Sequence, residues 1–335
     1  MNTDNQRFAD SVSPAEDTES AKMSPRCDGG VFDLSPGSSR ARERPVDRFL
    51  AGAGTLHPLL SLLTAMAILG VGQAGFAFVF TALVGGHPDA QTSTILLLAS
   101  FAGVWLALWA WMRFVEQRPM NCLGFRGHSN DVWIGVAIAV AILVIDVVVM
   151  TTSGQVTMLW ARPSAMAVVL IVAAILLFLV QGCAEEVVLR GHLMQTVAAR
   201  WGIIAGVSIQ AVLFAVLHGA NPGVSVVAVV NIALFGLMLG VLVLWRGSLW
   251  PAVGFHGVWN WLQGPVLGFD VSGMDFGQTI LRQTHPAAAS TLWTGGSFGA
   301  EAALPTTVFL AVVTSLLIAA WRPWKDSGAA AHLSN

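Results

Sequence analysis

The chain has 335 residues, of which 55% are hydrophobic and 11% charged, with a mean hydropathy of +0.69. Soluble domains carry about 25% charged residues, so this composition excludes an ordinary soluble protein and indicates an all-α polytopic membrane protein. The net charge of −2, with no basic groove interleaved with aromatics, leaves no footprint for nucleic acid, and none is expected as a partner.

Charge is concentrated at the start. Residues 1–48 hold 16 of the 36 charged side chains. This leader is rich in Ser, Asp, Glu, Pro and Gly and cannot bury enough apolar surface to offset its ordering entropy. It is expected to be a disordered cytoplasmic segment, followed by a membrane domain over 49–325 and a short tail over 326–335. It lacks the apolar core and cleavage site of a signal peptide, so the first membrane helix is expected to act as an uncleaved anchor.

About 20 apolar residues cross the hydrocarbon core. That rule predicts eight helices, near 58–84, 93–113, 132–151, 164–199, 202–219, 225–245, 249–262 and 304–321, the fourth longer than one span and the seventh short. Arg40, Arg42, Arg44 and Arg48 precede the first helix, and Arg113, Arg118 and Arg126 follow the second. Arg200 and Arg246 mark later turns, and Arg322 with Lys325 follows the last helix. With eight crossings all of these fall on one side, while the other side carries Arg162 and Arg282. The positive-inside rule then predicts a multi-pass protein with both termini cytoplasmic, and a prokaryotic plasma membrane is its expected location. Trp160, Trp201, Trp245, Trp250, Trp321 and Trp324 lie near predicted helix ends, as an interfacial belt requires.

Three polar clusters interrupt the apolar helices. The first is QGCAEEVVLR, residues 181–190. An ionisable group at mid-bilayer costs roughly 2.5–3.5 kcal/mol on insertion scales, so Glu185, Glu186 and Arg190 need partners or a use. Glu186 and Arg190 are four residues apart and share a helix face, where they can form an ion pair. Glu185 projects about 100° away and is left without a local partner. The second cluster is FAVLH, with Phe214 and His218 four apart, and the third is HGVWN, with His256 and Asn260 four apart.

Depth arithmetic links them. Glu185 lies about 21 Å from the turn near Arg200, and the return from Gly202 to His218 is about 24 Å at the same helical rise. The two side chains are therefore expected to be level. For His256 to join them, the Asn-Pro-Gly stretch at 221–223 must be a loop that climbs before the next helix begins.

A carboxylate beside an imidazole can hold and deprotonate water, and a second His with an Asn offers donors to an oxyanion. Alternatively, Glu185, His218 and His256 could supply three ligands to zinc, with water in the fourth position; neither HExxH nor GxSxG is present. Asp146 is read as a structural hydrogen-bond partner or proton carrier outside the site. Cys183 is read as a small buried hydrophobe, since nothing nearby would lower its thiol pKa.

EEVVLRG at 185–191 resembles the EExxxR motif of the CAAX prenyl protease and bacteriocin-processing family (CPBP, or Abi), whose members are intramembrane proteases. FAVLH resembles its FxxxH motif and HGVWN its HxxxN motif, in the family's order, and TGGSFGAEAAL before the last helix is similar in flavour. The resemblance spans residues 49–325. It implies an eight-helix endopeptidase acting on a membrane-associated peptide or protein, with its site open to the cytoplasmic side. Glu185 and His218 would activate water, and His256 and Asn260 would stabilise the oxyanion. Glu186, Arg190 and Phe214 would shape the site. Both zinc-dependent and metal-free glutamate mechanisms stay open. Two other classes compete: a non-catalytic immunity or scaffold factor, and a proton-coupled transporter using Glu185, Glu186, His218 and Asp146. The absence of an internal repeat disfavours the transporter.

Overall fold

The computed structural model of the chain describes residues 44–84 and 90–321. The expected leader up to residue 43 and the tail over 326–335 lie outside the described residues. The expected leader boundary at residue 48 falls inside a short helix, α1 (Pro45–Leu50).

Long apolar runs with no charge to interrupt them form the transmembrane rods. These are α2 (Pro58–Val84), α3 (Ala90–Ala110), α4 (Val132–Thr152), α5 (Ala165–Glu186), α8 (Val226–Arg246) and α11 (Leu304–Trp321). α3 runs on through a π-helical turn to Glu116, and α5 runs through a π-helical stretch, Val187–Met194, into α6 (Gln195–Trp201). Six helical segments are long and apolar enough to cross a membrane. With the 16-residue α7 (Ile203–His218) and the 12-residue α9 (Trp250–Trp261), this agrees with the expected architecture of about eight. The protein is a multi-pass, all-α membrane protein.

Local signals set the helix ends. Ser164 and Ser225 begin α5 and α8 by accepting hydrogen bonds from the backbone N–H of Ala167 and Ala228, both at 3.1 Å. Gly202, at φ +90°, separates α6 from α7, a backbone conformation that favours glycine.

Apolar side chains such as Leu63, Phe78, Leu83, Ile204 and Val226 stand exposed on the outer surface, where lipid is the solvent. α8 is the central helix, buried along Met238–Leu244. Lipid tails are as apolar as leucine, so helices associate through close packing of small residues rather than hydrophobic exclusion. α4 and α9 meet at two such points. A Cβ on Gly135 would strike the Pro251 carbonyl and come within 2.7 Å of Phe255 N, and one on Gly254 would strike Val132 O. α5 meets α9 in the same way: a Cβ on Gly182 would lie 3.1 Å from His256 Cγ, and one on Gly257 2.7 Å from Leu179 Cδ2.

Hydrogen bonds gather most of the arginines at one end of the bundle. Arg48 donates to the Arg246 carbonyl at 2.9 Å, and Arg246 pairs with Asp131 at 2.7 Å. Arg118 donates to Gly52 O at 2.6 Å and pairs with Glu116, while Arg200 donates to Thr55 O. The other end carries β1 (Thr157–Trp160) paired antiparallel with β2 (Leu281–Thr284), Thr157 opposite Thr284. It also carries the 219–225 loop and the segment from 267 to 303, which includes α10 (Thr291–Thr294).

Gly135→Leu is expected to destabilise the protein by about 1–3 kcal/mol, the usual cost of overpacking. Thermal unfolding of the detergent-solubilised variant, with a lipid-facing control such as Val144→Leu, checks this.

Candidate active site

All three polar clusters meet. Glu185 lies on α5, His218 at the end of α7, and His256 with Asn260 on α9, and all line one cavity of about 270 Å³. The hairpin arithmetic holds, since α7 turns back at Gly202 and brings His218 to the cavity that Glu185 lines. A loop also separates His218 from Val226, as the depth of His256 required.

Glu186 is the anchor. Its Oε1 accepts from Arg190 NH1 at 3.0 Å and from His256 Nδ1 at 2.8 Å, tying α5 to α9. Glu186 and Arg190 are both 0% exposed, so each charge depends on the other. The Arg190 guanidinium also lies 4.6 Å above the Phe214 ring, adding a cation–π contact out of water. Phe214 touches His218 edge to face at 4.6 Å and His256 at 5.9 Å. One aromatic ring thus positions the arginine and both histidines.

Glu185 faces another way, as helix geometry requires, but it does have a local partner. Gln181, one turn earlier, donates Nε2 to Glu185 Oε1 at 2.8 Å and accepts from Asn260 Nδ2 at 2.9 Å. Gln181 therefore couples the acid to the HxxxN asparagine. The same four-residue spacing that paired Glu186 with Arg190 could have identified it. Glu185 Oε2 has no hydrogen-bond partner among the described residues and lies 3.7 Å from His256 Nε2.

The tautomers follow from the partners. His218 Nδ1 sits 2.8 Å from the Phe214 carbonyl. A carbonyl can only accept, so Nδ1 carries the hydrogen and neutral His218 has its lone pair on Nε2. His256 Nδ1 likewise donates to the Glu186 carboxylate.

Glu301 is a further carboxylate on the cavity wall, in the GAEAAL stretch before α11. It accepts from the Ser272 backbone N–H at 3.0 Å and from the Ser272 hydroxyl at 2.7 Å, fastening the 271–274 turn beside the cavity. Burial pushes its pKa up, against those hydrogen bonds and the nearby His218 and His256. No charge pattern or spacing in the sequence marks it, because its partner is a serine 29 residues away. Asp146, in contrast, lies off the cavity, with its Oδ2 2.9 Å from the Thr306 hydroxyl, in the structural role read from the sequence.

A three-ligand zinc site would need Glu185, His218 and His256 to converge. Among the described residues no three His, Cys, Asp or Glu side chains do so. One nitrogen of each histidine is already engaged, by Glu186 and by the Phe214 carbonyl. The donor set does not form a cage in this arrangement, and no step below is routed through a metal.

The cavity mouth lies at the arginine-poor end. Its wall includes Asn221, Ser272, Met274 and Glu301, all from loops at that end, and no residue from the arginine-rich end. Below the site, every residue from Ala184 to Ala198 is buried, which seals the other side. A cytoplasmic opening and cytoplasmic termini were both expected; this geometry makes them mutually incompatible.

Residues 167–262 match the family model described as type II CAAX prenyl endopeptidase Rce1-like. The match runs from the first turns of α5 to the end of α9 and so contains all three motif clusters. It bears out the family suspected from the motifs, whose members include the Rce1-like enzymes. No curated protein and no solved structure matches the chain.

Gln181→Leu strands Glu185 Oε1 and the Asn260 amide in a buried site, each loss costing about 1–3 kcal/mol. A lowered unfolding temperature is expected, and a Gln181→Leu, Asn260→Leu double variant should lose less than the sum of the two single losses.

Proposed function

We propose that this Rce1-like protein is an intramembrane endopeptidase hydrolysing a peptide bond of a membrane-associated peptide or protein by a glutamate-type mechanism. One observation carries the reading: Glu185, whose Oε2 has no hydrogen-bond partner among the described residues, and His218, whose Nδ1 is held by the Phe214 carbonyl so that Nε2 keeps the lone pair, line the same cavity. Water bound between them is polarised by His218 and loses its proton to Glu185 as its oxygen attacks the substrate carbonyl. The carbonyl oxygen becomes an oxyanion, stabilised by the second N–H of the Asn260 amide and by the Nε2–H of His256, which is protonated on both ring nitrogens beside the Glu185 and Glu186 carboxylates. Glu185 then returns the proton to the departing amine, so that one amide and one water become a carboxylic acid and an amine.

The remaining residues set positions. Glu186 and Arg190 neutralise each other, orient His256 and carry no proton in the reaction. Phe214 fixes the His218 ring. The bilayer is the medium from which the substrate enters. The orientation proposed, with both termini cytoplasmic in a prokaryotic plasma membrane, rests on the arginine distribution. Prenylation of the substrate is not part of this reading, since no feature of the cavity selects a prenyl chain over another apolar group.

Glu185→Gln and His218→Ala are each expected to abolish cleavage of a peptide library by the purified protein while leaving its unfolding temperature near that of the wild type. His256→Ala and Asn260→Ala should each lower kcat by about 10²–10³, the cost of one oxyanion donor. Wild-type turnover in both Glu185→Gln and His218→Ala would overturn the assignment of the catalytic pair, and no turnover by the wild type itself would leave the scaffold and transporter readings in place. Exhaustive chelation is expected to leave turnover unchanged; a loss restored by zinc would replace the glutamate mechanism with a metal one.

A further inference from the structure

We infer that Glu301 is a specificity-determining residue: its carboxylate takes the ammonium group of a substrate lysine lying close to the scissile bond. The inference rests on the peptidase reading of the site and adds the class of peptide it selects.

The first observation is an imbalance of charge. Buried Glu186 pairs with Arg190, Glu116 with Arg118 and Asp131 with Arg246. Glu301 is only 4% exposed, yet among the described residues it forms no ion pair with an arginine or lysine, and neither residue type lines the cavity. Its neighbours do not make up the difference. Glu185, Glu186 and Glu301 stand against two cations, Arg190 and the His256 imidazolium, and Glu186 Oε1 engages both. His218 is neutral, with its Nδ1–H on the Phe214 carbonyl. One negative charge is therefore left without a partner. Burial pushes the Glu301 pKa up, as it does for any carboxyl short of compensating positive charge. An ammonium supplied by a ligand balances the set.

The second is a corner that presents this charge to the cavity. Glu301 accepts the Ser272 N–H and the Ser272 hydroxyl through one oxygen, Oε2, which leaves Oε1 out of both bonds. Its backbone is fixed as well: the Asn231 amide on α8 donates to the carbonyls of Glu301 and Ala303 at 2.8 and 2.9 Å. Ser272 sits at φ +49°, a left-handed conformation strained for a residue with a side chain. Strain of this kind gathers at ligand-binding positions. A Cβ on the adjacent Gly273 would strike the Pro222 carbonyl, so the 221–223 loop packs against this turn and brings Asn221 to the same wall. Glu301 Oε1, the Asn221 side-chain oxygen and the Ser272 hydroxyl offer an acceptor to each N–H of an ammonium. A guanidinium prefers to bridge both oxygens of a carboxylate, and Oε2 is taken, so lysine fits better than arginine. Reach sets the register. Glu301 and Glu185 line one cavity of about 270 Å³. A sphere of that size is about 8 Å across, roughly two residues of extended chain, which puts the lysine within about two positions of the bond that is cut.

Binding tests this apart from turnover. A short fluorescent peptide of alanine and leucine, carrying lysine, arginine, norleucine or glutamate at its centre, is titrated against purified full-length His218→Ala protein in detergent and followed by anisotropy. That background keeps Glu185, Glu186 and Glu301. The lysine peptide is expected to bind about 10–100-fold tighter than the norleucine peptide, the usual contribution of a hydrogen bond to a charged group, with arginine in between. Adding Glu301→Gln, whose amide oxygen can still accept both Ser272 bonds, should bring that ratio close to one, and adding Glu301→Lys should turn the preference to glutamate. Equal affinity for the lysine and norleucine peptides with Glu301 in place overturns the inference, and that comparison needs no Glu301 variant to fold. So does a lysine preference that survives Glu301→Gln while all affinities fall together, the result expected of a residue that only fastens the turn. Arginine bound as tightly as lysine overturns the single-oxygen contact. The peptidase reading is judged separately, by the turnover of Glu185→Gln, so the two failures are distinguishable.

Discussion

A single carboxylate oxygen, Glu186 Oε1, holds the site together. It accepts from Arg190 on its own helix and from His256 on α9, in a place where neither charge has access to water. An unpaired ion there would cost several kcal/mol, so the bundle can close only if α5 and α9 come together in this register. Once they do, Glu185 is turned toward the cavity by one residue's rotation, and Asn260 is carried in on the same face as His256. The acid that faces the cavity depends on the acid that does not.

The rest of the architecture serves that contact. Gly182 and Gly257 let the backbones of α5 and α9 approach closely enough for side chains as short as Glu and His to meet. Phe214 brings α7 into the arrangement through its ring, which carries Arg190 on its face and His218 at its edge. The π-helical stretch begins immediately after Glu186. Such interruptions, with their i→i+5 bonds, recur at functional sites, and here one lies between the charged cluster and the sealed end of the bundle. On the open side, Glu301 and Ser272 fasten the connecting segment against the cavity wall.

Much of this was legible before any tertiary contact was known. Eight helical segments followed from runs of apolar residues, because the bilayer imposes a length and a polarity that composition alone reveals. The motif residues followed from the cost of burying charge, and their family from the order in which they occur. Gln181 was missed although it stands at the helical spacing from Glu185, because an amide carries no charge to draw attention to it. Glu301 was missed for a different reason: nothing local distinguishes it from a surface acid. The β1–β2 pairing was invisible because its two strands, of four residues each, are more than a hundred residues apart.

The sequence by itself determined that this chain crosses a membrane about eight times, that three of its helices carry polar groups at matching depths, and which end bears the arginines. These are consequences of helical rise, charge cost and composition, all of which act locally along the chain. Only the tertiary structure decided which polar atoms pair and which are left free, because hydrogen-bond partners such as Gln181 with Asn260 and Glu186 with His256 come from different helices. It also decided on which side the cavity opens. That depends on how loops from distant parts of the chain fold over one end of the bundle, and no local rule sets it.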